Sequence, residues 1–120
     1  MEETYMTIAT VAELLNARIL TGEAHSGLEV TSAFACDLMS DVLAYANGYK
    51  LLLSGLCNAQ VIRTAEMLDM NCIIFVRGKC PDEQMIKMAA SNDMVVLRTD
   101  YSMFTSSGIL YQAGIKGGQM

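Results

Sequence analysis

Three short apolar runs, Tyr49–Leu53, Cys72–Val76 and Met94–Arg98, recur at near-equal intervals, and each is followed by a segment with helical periodicity. None of the three alternates polar with apolar residues. A strand of that kind has no face to give to water, so it belongs inside a sheet covered on both sides, the usual setting of parallel strands. The segments between them carry helix signals. Asn58 is placed to cap a helix whose inward face holds Val61, Ile62, Ala65 and Leu68, and Asp82 opens another through about Ser91. Thr99 or Asp100 is expected to cap the last helix, which runs to about Gln112 and stops at Gly114. The alternation predicts an α/β fold: a single domain with a mostly parallel sheet and helices on both faces.

Upstream, Thr10 and Glu13 form a capping-box pattern, and Val11, Leu14 and Leu15 follow at helical spacing, so a first helix is expected to about Asn16. Ala17–Thr21 reads as a strand closed by Gly22, residues 23–29 as a turn, and Val30–Cys36 as a second strand. Leu38, Met39, Val42, Leu43 and Tyr45 then repeat at threes and fours, a helix ending near Asn47-Gly48. The domain is expected over residues 1–115, with 116–120 as a flexible tail.

Composition narrows the partners. In 120 residues there is length for one core, and a 52% hydrophobic share leaves apolar surface for another subunit, so a homo-oligomer, in the simplest case a dimer, is expected. Eight Lys and Arg against thirteen Asp and Glu give a formal charge of -5, which argues against nucleic acid as a partner. The acidic start Met1-Glu2-Glu3-Thr4-Tyr5 lacks the features of a secretory signal, and no apolar run approaches the length of a membrane span, so a cytoplasmic protein without membrane contact is expected. Cys36, Cys57, Cys72 and Cys80 are then reduced thiols; with no CxxC pair and His25 as the single histidine, they read as small buried hydrophobes, and neither a metal nor a cofactor is expected. Ten methionines, among them Met39, Met67, Met70, Met85, Met88, Met94 and Met103, mostly fall on apolar helical positions and serve as core filler or an adaptable interface.

Right-handed crossovers place the ends of Leu53, Val76 and Arg98 on one rim of the sheet, where open α/β sheets take their ligands. The candidate ligand-binding residues there are Asp37, Ser40 and Asp41, provided the Val30–Cys36 strand runs the same way. They are joined by Ser54, Gly55 and Asn58, by Arg77, Gly78 and Lys79, and by Thr99, Asp100 and Ser102. Backbone N–H groups at helix starts, with Arg77 and Lys79, suit a small anion. Turn geometry and helix capping account for many of the same residues. Asp37 and Asp41, four apart, are expected on one side of a helix's first turn; they could hold Mg or act as acid and base in a small transferase or hydrolase, and they serve equally as ordinary N-terminal acids. The Ser54-Gly55 turn has no second glycine and no GK[ST], which excludes a Walker-type site, and no Ser-His-Asp arrangement exists, so no catalytic residue is assigned.

Four stretches carry a resemblance: Val11-Ala-Glu-Leu-Leu-Asn-Ala-Arg-Ile-Leu-Thr-Gly-Glu23, Asp37-Leu-Met-Ser-Asp-Val-Leu-Ala44, Ile74-Phe-Val-Arg-Gly-Lys79 with Pro81-Asp82, and Leu97-Arg-Thr-Asp-Tyr-Ser-Met-Phe104. Over nearly its whole length the chain resembles the DRTGG domain family, similar to the N-terminal domain of HPr kinase/phosphorylase and to a domain inserted in some phosphate acetyltransferases. The Asp-Arg-Thr-Gly-Gly signature is absent, and the turn equivalent to it is Ser54-Gly-Leu-Cys-Asn58, so no ligand role passes across with it. The resemblance implies a non-catalytic regulatory or ligand-sensing domain for a small anionic or nucleotide-like ligand. It also implies an alternative, an adaptor docking on a redox enzyme of the iron-hydrogenase type, since similar stand-alone proteins accompany such enzymes.

Overall fold

A computed structural model describes residues 6–117 of the protein. The chain runs β1 (Met6–Thr7), α1 (Ile8–Leu14), β2 (Arg18–Thr21), a 3₁₀ turn (Glu23–His25), β3 (Glu29–Val30), β4 (Ala33–Ala35), α2 (Met39–Tyr45), β5 (Leu51–Ser54), α3 (Ala59–Met67), β6 (Cys72–Phe75), α4 (Glu83–Ser91), β7 (Val95–Arg98) and α5 (Met103–Gln112). The five-stranded sheet has the order β2-β7-β6-β5-β4; β4 to β7 are parallel, and β2 closes the sheet antiparallel to β7. The single α/β domain with a mostly parallel sheet is therefore as expected. A separate two-stranded pair joins β1 to β3.

The four parallel strands follow one another in one direction across the sheet, so right-handed crossovers put α2, α3 and α4 on the same face. There they pack Met39, Val42, Val61, Ile62, Ala65, Met85 and Ala89 against Leu52, Ile73, Phe75 and Val96. The opposite face has no crossover helix. It is covered by α1 and α5, with Ile8, Val11, Leu15 and Leu110 against Leu51, Leu53, Ile74, Val95 and Leu97. Alternate residues of each strand feed alternate cores, which is why the runs read as continuously apolar.

Several local expectations are corrected. Helix α1 starts a turn earlier than the Thr10–Glu13 pattern implies, because Thr7 is the cap, its hydroxyl accepting the Thr10 N–H at 3.2 Å. The Val30–Cys36 run is two strands in different sheets: β3 pairs with β1, and β4 pairs with β5. The last helix is capped by Ser102, not by Thr99 or Asp100. Lys116, expected to fray, is held beside β4: its N–H donates to Thr31 O at 3.0 Å and its carbonyl accepts from Ala33 at 2.9 Å. Gly117 accepts the Tyr49 hydroxyl at 2.7 Å, and the rest of the expected tail lies outside the described residues.

Gly22, which closes β2, has a φ of +84°, and a Cβ there would lie 2.5 Å from the Met94 carbonyl oxygen and 2.8 Å from Val95 Cα. Both neighbours are backbone and cannot swing aside. Gly22→Ala is expected to lower stability by about 2–3 kcal/mol in urea unfolding, from the left-handed penalty and the clash together. Gly27→Ala, which meets nothing within 4 Å, is expected to change stability by less than about 0.5 kcal/mol.

Candidate functional site

At the carboxyl rim the β5–α3 turn is largely bonded within itself. Ser54 is buried; its Oγ accepts the Leu56 N–H at 3.0 Å and donates to the Leu56 carbonyl at 2.8 Å. The Gly55 N–H donates to Asp37 Oδ1 at 2.6 Å, and Asn58 caps α3 by accepting the Val61 N–H at 3.3 Å. Two of the backbone donors that could have met an anion are thus already engaged. The parallel β4 brings Asp37 to this rim, but Asp37 stands before α2, whose N-cap is Leu38, and it does not share a helical turn with Asp41. Asp37 therefore lies outside the helix whose first turn it was expected to share. Ser40 and Asp41 are exposed.

The β6–α4 turn is tied to the next one. Arg77 and Gly78 have φ of +58° and +71°, and their N–H groups donate to Tyr101 O and Thr99 O, both at 2.8 Å. The Lys79 N–H turns back to Val76 O at 3.2 Å. The Arg77 guanidinium lies over Gly55: a Cβ at Gly55 would be 2.7 Å from Arg77 Nη2 and 3.1 Å from each Asp37 carboxylate oxygen. Asp37, Gly55 and Arg77 therefore converge from three adjacent strand ends. Glycine is what allows it.

Thr99 faces inward. Its hydroxyl donates to Leu15 O at 2.6 Å and accepts the Tyr101 N–H at 3.2 Å, clamping the end of α1 to the start of the β7–α5 turn. Ser102 accepts the Thr105 N–H at 3.1 Å as the cap of α5. Asp100 is exposed, with Oδ1 3.7 Å from Arg98 Nη2.

A second grouping at the same rim joins Asp100 to residues that the sequence did not single out as candidates. Asn16, Ala17, Arg18, Arg98 and Asp100 line a polar cleft of about 320 Å³. Arg18 and Arg98 are directly opposite each other in the antiparallel β2–β7 pairing, so their side chains leave the same face of the sheet. Arg98 is 30% exposed; Nη2 donates to Gly78 O at 3.0 Å, and the buried Nε has no hydrogen-bond partner among the described residues.

Of the four cysteines expected as small buried hydrophobes only Cys72 is fully buried; Cys36 and Cys57 are half-buried and Cys80 is exposed. Cys72 begins β6 at the far end, where burial pushes its thiol well above the ordinary range. Cys57 is raised by burial first and by the nearby Cys80 second, against the opposing pull of Lys79, so it too remains a protonated thiol near neutral pH. Among the described residues no three His, Cys, Asp or Glu side chains group as a metal ion would require, and no helix is long and apolar enough to cross a membrane.

Thr99→Val strands the Leu15 carbonyl and the Tyr101 N–H together. It is expected to cost about 1–3 kcal/mol in thermal or urea unfolding, with Thr99→Ser recovering most of the loss.

No family model matches the chain, and no curated protein sequence matches it. Its fold is found in a solved structure, that of the CBS and DRTGG domains of the regulatory region of Clostridium perfringens pyrophosphatase, complexed with its activator diadenosine tetraphosphate. The two superpose with a TM-score of 0.73 over 91% of this chain at 17% sequence identity. The chain spans about half of that one, 47% of its length. At this identity the likeness is one of fold.

Proposed function

We propose that this chain is a non-catalytic regulatory domain that senses a small anionic ligand at the carboxyl rim of its sheet. The observation that carries the proposal is charge placement: Arg18, Arg77, Lys79 and Arg98, half of the chain's 8 Lys and Arg, stand at one rim of a molecule whose formal charge is -5. Asp37 and Asp100 stand among these cations, so an anion is drawn to the guanidinium groups themselves rather than by a field over the whole rim. Asp37 stands before the cap of α2 rather than within its first turn beside Asp41, which favours sensing over turnover. The regulatory, nucleotide-bound setting of the pyrophosphatase region with the same fold supports the same choice. A thermal-shift screen with nucleotides, acyl phosphates, sugar phosphates and carboxylates tests it. At least one class is expected to raise Tm by about 5 °C at millimolar concentration, and no shift from any class would defeat the sensing proposal.

A second proposal, self-association, rests on α5. Phe104 and Tyr111 are 87% and 65% exposed two turns apart, with Ser107 and Gly108 between them on the same face, and a Cβ on Gly108 would meet nothing within 4 Å. A glycine inside a helix costs about 1 kcal/mol relative to Ala, and a closely approaching helix from a second copy would give it a use. Light scattering is expected to report a dimer for the parent and a monomer for Phe104→Ser; a monomeric parent would reject it.

A further inference from the structure

We infer that the Arg18–Arg98 cleft is a phosphoryl-binding site, which takes the phosphate group of a small phosphate ester or of a nucleotide. The inference rests on the ligand-sensing proposal and narrows it to one place and one chemistry. It starts from an arrangement that a sheet by itself disfavours. Like charges directly opposite on antiparallel strands repel, and Arg18 and Arg98 are such a pair, fixed by the β2–β7 register. Asp100 answers this weakly, being 3.7 Å from Arg98 Nη2 and with its side chain 90% exposed.

The donors point the same way. Arg98 uses one Nη hydrogen on the Gly78 carbonyl at 3.0 Å, while its Nε–H is buried without an acceptor. Guanidinium groups are planar forks suited to two oxygens at once, and a buried donor left unmatched is unfavourable. A small turn of the Arg98 side chain, allowed by its partial exposure, offers Nε–H and an Nη–H to the cleft together. Arg18 on the opposite strand then supplies the second fork.

The choice of phosphate over carboxylate follows from charge and shape. Two facing guanidinium groups call for two negative charges and more than two acceptor oxygens. A phosphate monoester provides both, whereas a carboxylate has one charge and two oxygens. Asn16, with φ of +49°, adds an amide at the cleft wall for the remainder of the ligand, and a volume of about 320 Å³ leaves room beyond the phosphoryl group.

Isothermal titration calorimetry at low ionic strength tests the inference with inorganic phosphate, glycerol phosphate, AMP, adenosine and acetate. Phosphate and the two esters are expected to bind, with adenosine and acetate at least tenfold weaker. Stronger binding of AMP than of glycerol phosphate would assign a nucleotide; equal binding would assign the phosphoryl group alone. Arg98→Met and Arg18→Met are each expected to weaken phosphate at least tenfold, and Arg63→Met, on the outer side of α3, to leave it unchanged. Arg18 is exposed, so its variant reports on the site even where Arg98→Met fails to fold. In the absence of ligand, Arg18→Met is also expected to raise Tm at low salt, an increase that disappears at high salt. Unchanged phosphate binding in a folded Arg18→Met would overturn the site while leaving ligand sensing intact. Binding of adenosine or acetate alone would overturn the phosphoryl chemistry, and failure of every compound here and in the wider thermal-shift screen would overturn both proposals.

Discussion

The whole arrangement depends on burying β5, β6 and β7 on both faces. From Leu51 to Leu53, Cys72 to Val76 and Val95 to Leu97 no side chain is more than 1% exposed. A strand with no wet face can place polar chemistry only at its ends. Because the parallel strands advance in one direction, every βα turn of the sheet falls on the same rim, and the helices carry the chain back outside it. The rim is thus one of the two edges where this core permits charges to converge, and the one to which the βα turns are brought. Arg77, Arg98 and Asp37 are there because the apolar runs end just before them.

This explains which parts of the fold were legible from sequence. The central strands and the α3 and α4 caps, Asn58 and Asp82, are local signals read within a few residues, and they stand where expected. The errors arise where two local signals compete. Thr7 and Thr10 are three apart, so either could start α1, and the one chosen depends on the β1–β3 pair that ends the chain's extended path at Thr7. Thr99, Asp100 and Ser102 are all good caps. Thr99 is withdrawn from that role by a partner far away in sequence, the Leu15 carbonyl, which no local pattern reveals.

The site divides in the same way. That Asp37, Gly55 and Arg77 meet follows from parallel topology, and the sequence brought them to one rim. The Arg18–Arg98 pair does not follow from any such rule, because it depends on an antiparallel register between distant segments. A one-residue slip would send Arg18 to the other face of the sheet. A β-irregularity between Ile19 and Thr21 lies right beside the pair, so even the strand's own alternation is broken there.

Departures from local preference are themselves informative when they gather. Among the described residues four non-glycine positions have positive φ. Asn16, Asp69 and Asp93 follow α1, α3 and α4, where Asn and Asp commonly end helices in the left-handed conformation. Arg77 fits no such role. It is a long side chain held left-handed in a βα turn, at a cost of about 1–2 kcal/mol, by its N–H bond to Tyr101 O and by the Gly78 bond to Thr99 O. The like-charged strand pair and the unmatched Arg98 Nε lie beside it, and Arg98 reaches the same turn through Gly78 O. A core this regular can impose strain at its rim without losing the fold, and three separate strained features share one edge of one sheet. Strain that accumulates in one place, on cations, in an acidic chain, is unfavourable for packing alone, and an anion bound there would offset part of it.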